Sequence, residues 1–345
     1  MRAAVFTQPG AIAVTDRPDP VLHNSTDAIV SVSLSCVCGS DLWYFRGESP
    51  RAPGQATGHE FVGVVEEVGA DVVSLRVGDT VVAPFRWSDG SCAHCRFGYP
   101  TACTAGGIWG QPGSDGGQGQ YVRVPFADAT LVAVPGGTPD SALLPALLSL
   151  SDVMATGHFA AVSAGVTVGA TVAVVGDGAV GLCGVLAARR LGATRIIALS
   201  SHASRSSIAV SFGATDIVQV RGAEATATLL EMTDGVGVDG VLECVGTEQS
   251  MATALSIVRP GGRLGYVGMP HGAHLPLETL FARNVTVSGG LAPARRYLPE
   301  LLRDVLNGSL DPSQVFDHEV RLEEIQSGYR AMDDRSAVKV LVTFP

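Results

Sequence analysis

Apolar residues fall along this chain in two different rhythms. Through about residue 135 they come in short valine-rich bursts cut by glycine and proline turns. Phe61-Val62-Gly63-Val64-Val65-Glu66-Glu67-Val68-Gly69 and Asp79-Thr80-Val81-Val82-Ala83-Pro84 have the length and β-branched content of strands, and such bursts predict a compact barrel. From roughly residue 141 the period lengthens. Ser141-Ala142-Leu143-Leu144 opens a helical pattern that resumes after Ser149 through Asp152, Met154, Ala155 and Phe159. Thr171-Val172-Ala173-Val174-Val175 is then a continuous apolar run, as in a strand buried on both faces. A glycine turn and a helix from Gly181 to Arg190 follow it, then a strand over Arg195-Ile196-Ile197-Ala198-Leu199 and a helix ending near Phe212-Gly213-Ala214. Gly240 to Cys244, Gly262 to Gly268 and Val285 to Gly289 predict further strands. A helix around 297–307 and a strand over 338–343 close the chain. Strands alternating with helices predict parallel βαβ units, so the fold class is α/β.

The change of rhythm divides the chain into residues 1–145, 146–290 and 291–345, the last expected to return to the first domain. A length of 345 residues suits two domains with ample core. Hydrophobic residues make up 46% and charged ones 16%, with 42 glycines, which excludes disorder and predicts many tight turns. A net charge of −10 argues against nucleic acid or an anionic membrane surface as partner. No apolar run is long enough to span a bilayer, and Met1-Arg2 leads straight into the strand-like Ala3-Ala4-Val5-Phe6. The expected location is cytoplasmic.

Most of the seven cysteines cluster, which in a reducing compartment reads as metal ligation. Cys92, Cys95 and Cys103 form Asp89-x2-Cys92-x2-Cys95-x7-Cys103, four candidate ligands close enough in sequence to fold round an ion as a local lobe. Buried thiols used only as small hydrophobes need no such ladder. Upstream lie Cys38-Gly39-Ser40-Asp41 and Gly58-His59-Glu60, spaced as residues are when different loops assemble one cleft. Asp89 has a second reading, as the turn residue of Ser88-Asp89-Gly90. Cys36, Cys183 and Cys244 are read as ordinary buried residues.

Gly176-Asp177-Gly178-Ala179-Val180-Gly181 is G-x-G-x-x-G set between a strand and a helix. The first glycine permits the tight turn, the second lets a pyrophosphate approach the backbone, and the third lets helix and sheet close. The helix N-terminus then offers unpaired N–H groups to phosphate. An acidic residue at the end of the second strand would hold the ribose hydroxyl of NAD. Here that segment reads Ala198-Leu199-Ser200-Ser201-His202-Ala203-Ser204-Arg205, without a carboxylate. Ser200 and Ser201 with Arg205 suit a 2′-phosphate, which favours NADP(H) over NAD(H). The alternative is that Arg205 is a solvated helix residue beside the adenine.

Two metal constellations followed by a dinucleotide-binding half resemble a zinc-dependent medium-chain alcohol dehydrogenase, and the likeness runs nearly end to end. It implies a GroES-like β-barrel catalytic domain made from both termini plus a Rossmann doubly wound parallel sheet. It also implies that Cys38, His59 and Asp152 ligate a catalytic zinc, with Glu60 approaching the metal during ligand exchange. By the same likeness Ser40 passes the substrate proton and Thr156 contacts the nicotinamide. Gly176, Gly178, Ala179, Val180 and Gly181 hold the pyrophosphate, Val245 and Val267 line the cofactor site, and Lys339 reaches the cofactor phosphates. Asp89, Cys92, Cys95 and Cys103 correspond to a structural zinc lobe. Trp43, Phe85 and Trp109 are candidate walls of the substrate pocket, with Tyr44 beside them, and they lean toward apolar or aromatic substrates.

The sequence departs from the family pattern at three positions. Asp152 stands where many members have cysteine, and its other reading is a helix N-cap or first-turn carboxylate. Asp89 stands where the lobe usually begins with cysteine, which weakens that site. Trp43 stands where relatives often carry the histidine that ends a proton relay. The implied reaction is hydride transfer between an alcohol or carbonyl carbon and the nicotinamide, with zinc as Lewis acid, in a homodimer or homotetramer. A polyol, sugar or amino-alcohol dehydrogenase is the alternative of the same class. A cofactor-binding protein without turnover is the alternative of another class, and intact Cys38, Ser40, His59 and Glu60 argue against it.

Overall fold

The computed structural model describes residues 1–344, which form two compact units. One is built from Met1–Asp152 and residues 293–344, the other from Val153–Ala292.

In the first unit the strand Ala28–Cys36 is the spine. It pairs antiparallel with Phe61–Val68, Tyr121–Val124 and the C-terminal Val340–Thr343. Thr80–Ala83, Val132–Ala133 and His318–Arg321 extend the sheet. Val30, Phe61, Val65, Val81, Trp87, Trp109 and Val122 are buried within it, the core expected of short valine-rich strands. A second core joins the short helix Asp41–Phe45 to the helix Ile325–Asp333 through Tyr44, Phe45 and Tyr329. Two ladder registers matter for function. Ser35 opposes Phe61 and Leu341 opposes Cys36, so the segments carrying Cys38, His59, Glu60 and Lys339 leave the sheet at one place.

The second unit holds a six-stranded, wholly parallel sheet. In spatial order its strands are Asp216–Val218, Arg195–Leu199, Thr171–Val175, Val238–Glu243, Val258–Tyr266 and Thr286–Gly289. In order of occurrence within this unit that is 3-2-1-4-5-6, so the strand order reverses between Thr171–Val175 and Val238–Glu243. Open sheets of this kind bind nucleotides at the carboxyl ends of the strands beside the reversal. The strands Thr171–Val175 and Arg195–Leu199 lie where their apolar runs predict. The helix Val153–Ser163 is buried on nearly every side, which explains why its sequence lacks a polar face. No single helix among the described residues is long and apolar enough to cross a membrane.

Candidate functional site

Ligand atoms of Cys38, His59, Glu60 and Asp152 all lie within 4.8 Å of one another. The Asp152 carboxylate is 3.7 Å from the Cys38 sulfur and 3.5 Å from His59 Nε2, and Glu60 Oε1 is 4.0 Å from the same nitrogen. Two ligands of one tetrahedral zinc, bonded at about 2.0–2.3 Å, stand about 3.5 Å apart, so these spacings suit a shared ion. His59 is aimed by Asp41, whose Oδ1 is 3.3 Å from Nδ1 while its Oδ2 accepts the Cys38 N–H at 3.0 Å. A proton on Nδ1 leaves Nε2 free for a metal, the usual division of labour in a carboxylate–histidine–metal arrangement. Ser40 places its hydroxyl 3.4 Å from Nε2.

Burial makes this cluster electrostatically costly. Glu60 is fully buried, and its Oε2 has no hydrogen-bond partner while Oε1 accepts from Lys339 Nζ at 2.7 Å. Burial pushes the Cys38 thiol and the Glu60 carboxyl up, against the pull of Lys339. Burial alone would lower His59, but Asp41 and Cys38 reverse that and carry it well above its ordinary value. A pocket with two carboxylates, a thiol and one orphaned oxygen calls for a cation, and these donors fit zinc.

The second cluster is local. Asp89, Cys92, Cys95 and Cys103 again place ligand atoms within 4.8 Å of one another, and of the four Cys103 alone is buried. Cys92 caps a single helical turn, Ala93–Arg96, and its sulfur lies 3.6 Å from that of Cys95. Asp89 forms the turn and also lies beside the three thiols. Its Oδ1 accepts the N–H groups of Cys92 at 2.9 Å and Ser91 at 2.8 Å, which makes the turn, while the carboxylate still faces the thiols. The Cys92 N–H, helped by that of Ser91, holds the Asp89 carboxyl down at about 2. Backbone N–H groups of Cys95 and Thr104 bring Cys92 down to about 6, whereas burial and the neighbouring thiols push Cys95 up to about 12.

In the second unit the glycine turn has the geometry a dinucleotide needs. Gly176 has φ +118°, and a Cβ on Gly181 would stand 2.0 Å from the Gly176 carbonyl oxygen, so neither position admits a side chain. Gly178 differs: a Cβ there would meet nothing within 4 Å, so no contact inside the protein demands glycine. That open space is where a pyrophosphate would lie, at the N-terminus of the helix Ala179–Arg190. Val245 packs against Gly176, the Val267 N–H donates to the Glu243 carbonyl, and Thr156 is buried on the helix Val153–Ser163.

A model described as an alcohol dehydrogenase GroES-like domain matches residues 24–136, and one described as a zinc-binding dehydrogenase matches residues 179–307. A probable zinc-binding alcohol dehydrogenase of Mycobacterium tuberculosis is 36% identical over 97% of this chain and 86% of its own length. An NADP-dependent isopropanol dehydrogenase of Thermoanaerobacter brockii is 35% identical over 90% of each chain. The solved alcohol dehydrogenase of Thermus sp. ATN1 superposes with a TM-score of 0.92 at 34% identity, covering all of both chains. The chain belongs to the zinc-type alcohol dehydrogenases. It is therefore an oxidoreductase of a family that uses zinc and a nicotinamide cofactor, with a GroES-like domain and a Rossmann sheet.

Within this alcohol dehydrogenase four expectations need correction. Lys339 does not reach out as a free cation: it is 1% exposed, and its ammonium is bound to Glu60 and, at 3.3 Å, to the Val37 carbonyl. Trp109 is no open wall. Its indole N–H donates to the Pro84 carbonyl at 2.8 Å and its ring packs on Phe61 and Trp87 in the barrel core. Tyr44 is buried too, its hydroxyl 2.7 Å from that of Tyr329. Trp43 stays half-buried, and Phe85 is buried with its N–H bonded to the Ser151 carbonyl, one residue before Asp152.

The fourth correction concerns the end of the second strand, which is not free of carboxylate. Asp177, from the glycine turn, folds over it. The Asp177 carboxylate lies 2.9 Å from His202 Nδ1, 3.3 Å from the Ser200 hydroxyl, 3.2 Å from the Ser201 N–H and 3.5 Å from Arg205. Asp41 and Asp177 both stood inside motifs already singled out. Their signal was present, but only the fold shows what each carboxylate faces.

Proposed function

We propose that this alcohol dehydrogenase holds its catalytic zinc with Cys38, His59 and Asp152, and that Glu60 is the additional carboxylate beside it. The convergence of these four donors, with Glu60 Oε2 buried and unpartnered, carries the reading. When bound, zinc supplies Lewis acidity toward an alcohol or carbonyl oxygen. The chain's own part is positional. Asp41 fixes the His59 ring, and Ser40 sets a hydroxyl within reach of the substrate oxygen, where it can take or return the proton. Lys339 holds one oxygen of Glu60 and leaves the other turned free. Trp43 and Phe85 give the pocket apolar, aromatic walls, which suits alcohols and carbonyls of that character. Asp89, Cys92, Cys95 and Cys103 hold a second, structural zinc. The edge strand Thr286–Gly289, near exposed Phe281 and Leu277, supports a homo-oligomer.

The least conventional ligand is tested by Asp152→Ala. Metal analysis should show one ion fewer per chain, together with a loss of turnover. Unchanged metal content and rate would reduce Asp152 to a cap at the start of the helix Val153–Ser163.

The cofactor is NADP(H) in preference to NAD(H). Ser200, Ser201, Arg205 and His202 gather at the end of Arg195–Leu199, and Arg221 adds a guanidinium that donates to the Ser201 hydroxyl at 3.0 Å. The Thermoanaerobacter brockii relative, named for NADP, supports this direction. Losing one charge-assisted contact costs about 1.5–3 kcal/mol, so Arg205→Ala should weaken NADPH roughly ten- to hundredfold and leave NADH nearly unaltered. Wild-type protein that binds NADH at least as tightly as NADPH would refute the preference.

A further inference from the structure

We propose that Asp177 is a tethered counter-anion seated among the groups that would receive a ribose 2′-phosphate, and that it limits the selectivity those groups confer. This deepens the NADP(H) reading and rests on it.

The carboxylate is 14% exposed and has four partners at the end of one strand: the Ser200 hydroxyl, the Ser201 N–H, His202 Nδ1 and the Arg205 guanidinium. Each of these is a donor of the kind a phosphate monoester needs, and Arg205 and His202 can supply positive charge. An aspartate elsewhere on the surface would meet water. Here, among the described residues, its side-chain partners all lie in the nucleotide-selecting segment. Its position in the chain explains how. Asp177 lies between Gly176, whose φ of +118° turns the backbone sharply, and Gly178, so the side chain leaves the turn toward the neighbouring strand. Ser206 and Ser200 share a further hydroxyl contact at 3.0 Å, which holds the Ser200 side chain in place.

A 2′-phosphate carries about −1.5 to −2 charge near neutrality and needs the same donors. It must take over Asp177's partners or sit beside a second anion, and either lowers the gain from Arg205, His202 and Arg221. At that ribose position NADH brings only hydroxyls, and the pyrophosphate charge is common to both cofactors, so the added repulsion falls on NADPH alone. Asp177 therefore narrows the gap between the two cofactors from the NADPH side.

The test is titration calorimetry of NADPH and NADH on the zinc-loaded wild type and on Asp177→Asn, which keeps the side-chain shape and removes the charge. NADPH should bind about tenfold or more tightly to the variant, with NADH changing less than about threefold. NADPH binding unchanged or weaker would overturn the proposal, as would a selective tenfold loss for NADH, since Asp177 would then be an acceptor for ribose hydroxyls. Asp177→Ser, smaller and also neutral, should move NADPH in the same direction; opposite signs from the two variants would overturn the charge argument. The wild-type ratio of the two affinities tests the NADP(H) reading separately, because the shift on substitution is measured within each cofactor.

Discussion

The two ligand clusters of the first unit use similar side chains in opposite ways. Asp89, Cys92, Cys95 and Cys103 come from one short loop, are mostly half-exposed, and owe their geometry to backbone N–H groups of the same loop. Cys38, His59, Glu60 and Asp152 come from three distant segments, and three of the four are buried. A local cluster of this kind can be organised by a bound ion. The dispersed one exists only when the ladders joining Ala28–Cys36 to Phe61–Val68 and Val340–Thr343 are already formed. An ion in the loop thus adds to folding, whereas the buried cluster is imposed by folding and carries unbalanced charge that an ion relieves. On the proposed reading, stability belongs to the first and chemistry to the second.

Lys339→Met attacks the buried cluster where the difference is greatest. It leaves Glu60 buried without its hydrogen-bonded cationic partner, and breaking such a pair costs about 3–5 kcal/mol. Denaturant melts of metal-stripped protein should show that loss. A change below about 1 kcal/mol would mean the pair is already neutral.

Cys95→Ala tests the loop. One ion per chain should disappear, and the melting temperature should fall by about 5–10 °C, as a loss of a few kcal/mol does in a chain of this size. Hydride transfer should slow by less than about threefold, a barrier change well under 1 kcal/mol. Unaltered stability would show that the loop holds no metal. A collapse in rate with stability intact would reverse the assignment of the two clusters.

The smallest effect sets a baseline outside both clusters. Arg195 forms a two-pronged pair with Asp216 at 3.1 and 3.2 Å, which holds the Asp216 carboxyl below its ordinary value. The folded value is depressed, so the stabilisation is fully present above the unfolded carboxyl's range of about 3.9 and is lost as pH falls through the folded value. The pair is partly exposed, so Asp216→Asn should cost no more than about 1 kcal/mol at neutral pH. The gap between variant and wild type should close in acid; a gap that widened there would reverse the sign.

The contrast between the clusters also explains what could be read without the fold. The cysteine ladder and the glycine turn are legible because their geometry is local. Thr171–Val175 and Arg195–Leu199 are legible because a strand buried on both faces is a continuous apolar run. Arg86–Trp87 and Gly107–Ile108, two residues each, are too short to show a period. Lys339 and Glu60 lie 279 residues apart, and no spacing rule couples buried charges over that separation. Trp109 illustrates another limit, since an indole in a core and an indole on a pocket wall have the same sequence surroundings. Asp41 and Asp177 were in view within their motifs, but their roles depend on what the fold places opposite them.

On the proposed reading, the buried cluster holds the zinc that serves the reaction. The most direct test of that reading is Cys38→Ser, purified gently and assayed for both metal content and hydride transfer. The variant should be a folded protein with one ion fewer than wild type and a rate lower by about a thousandfold or more, the scale that several kcal/mol of Lewis-acid stabilisation supplies. Full activity in a Cys38→Ser protein that has lost this ion would contradict it.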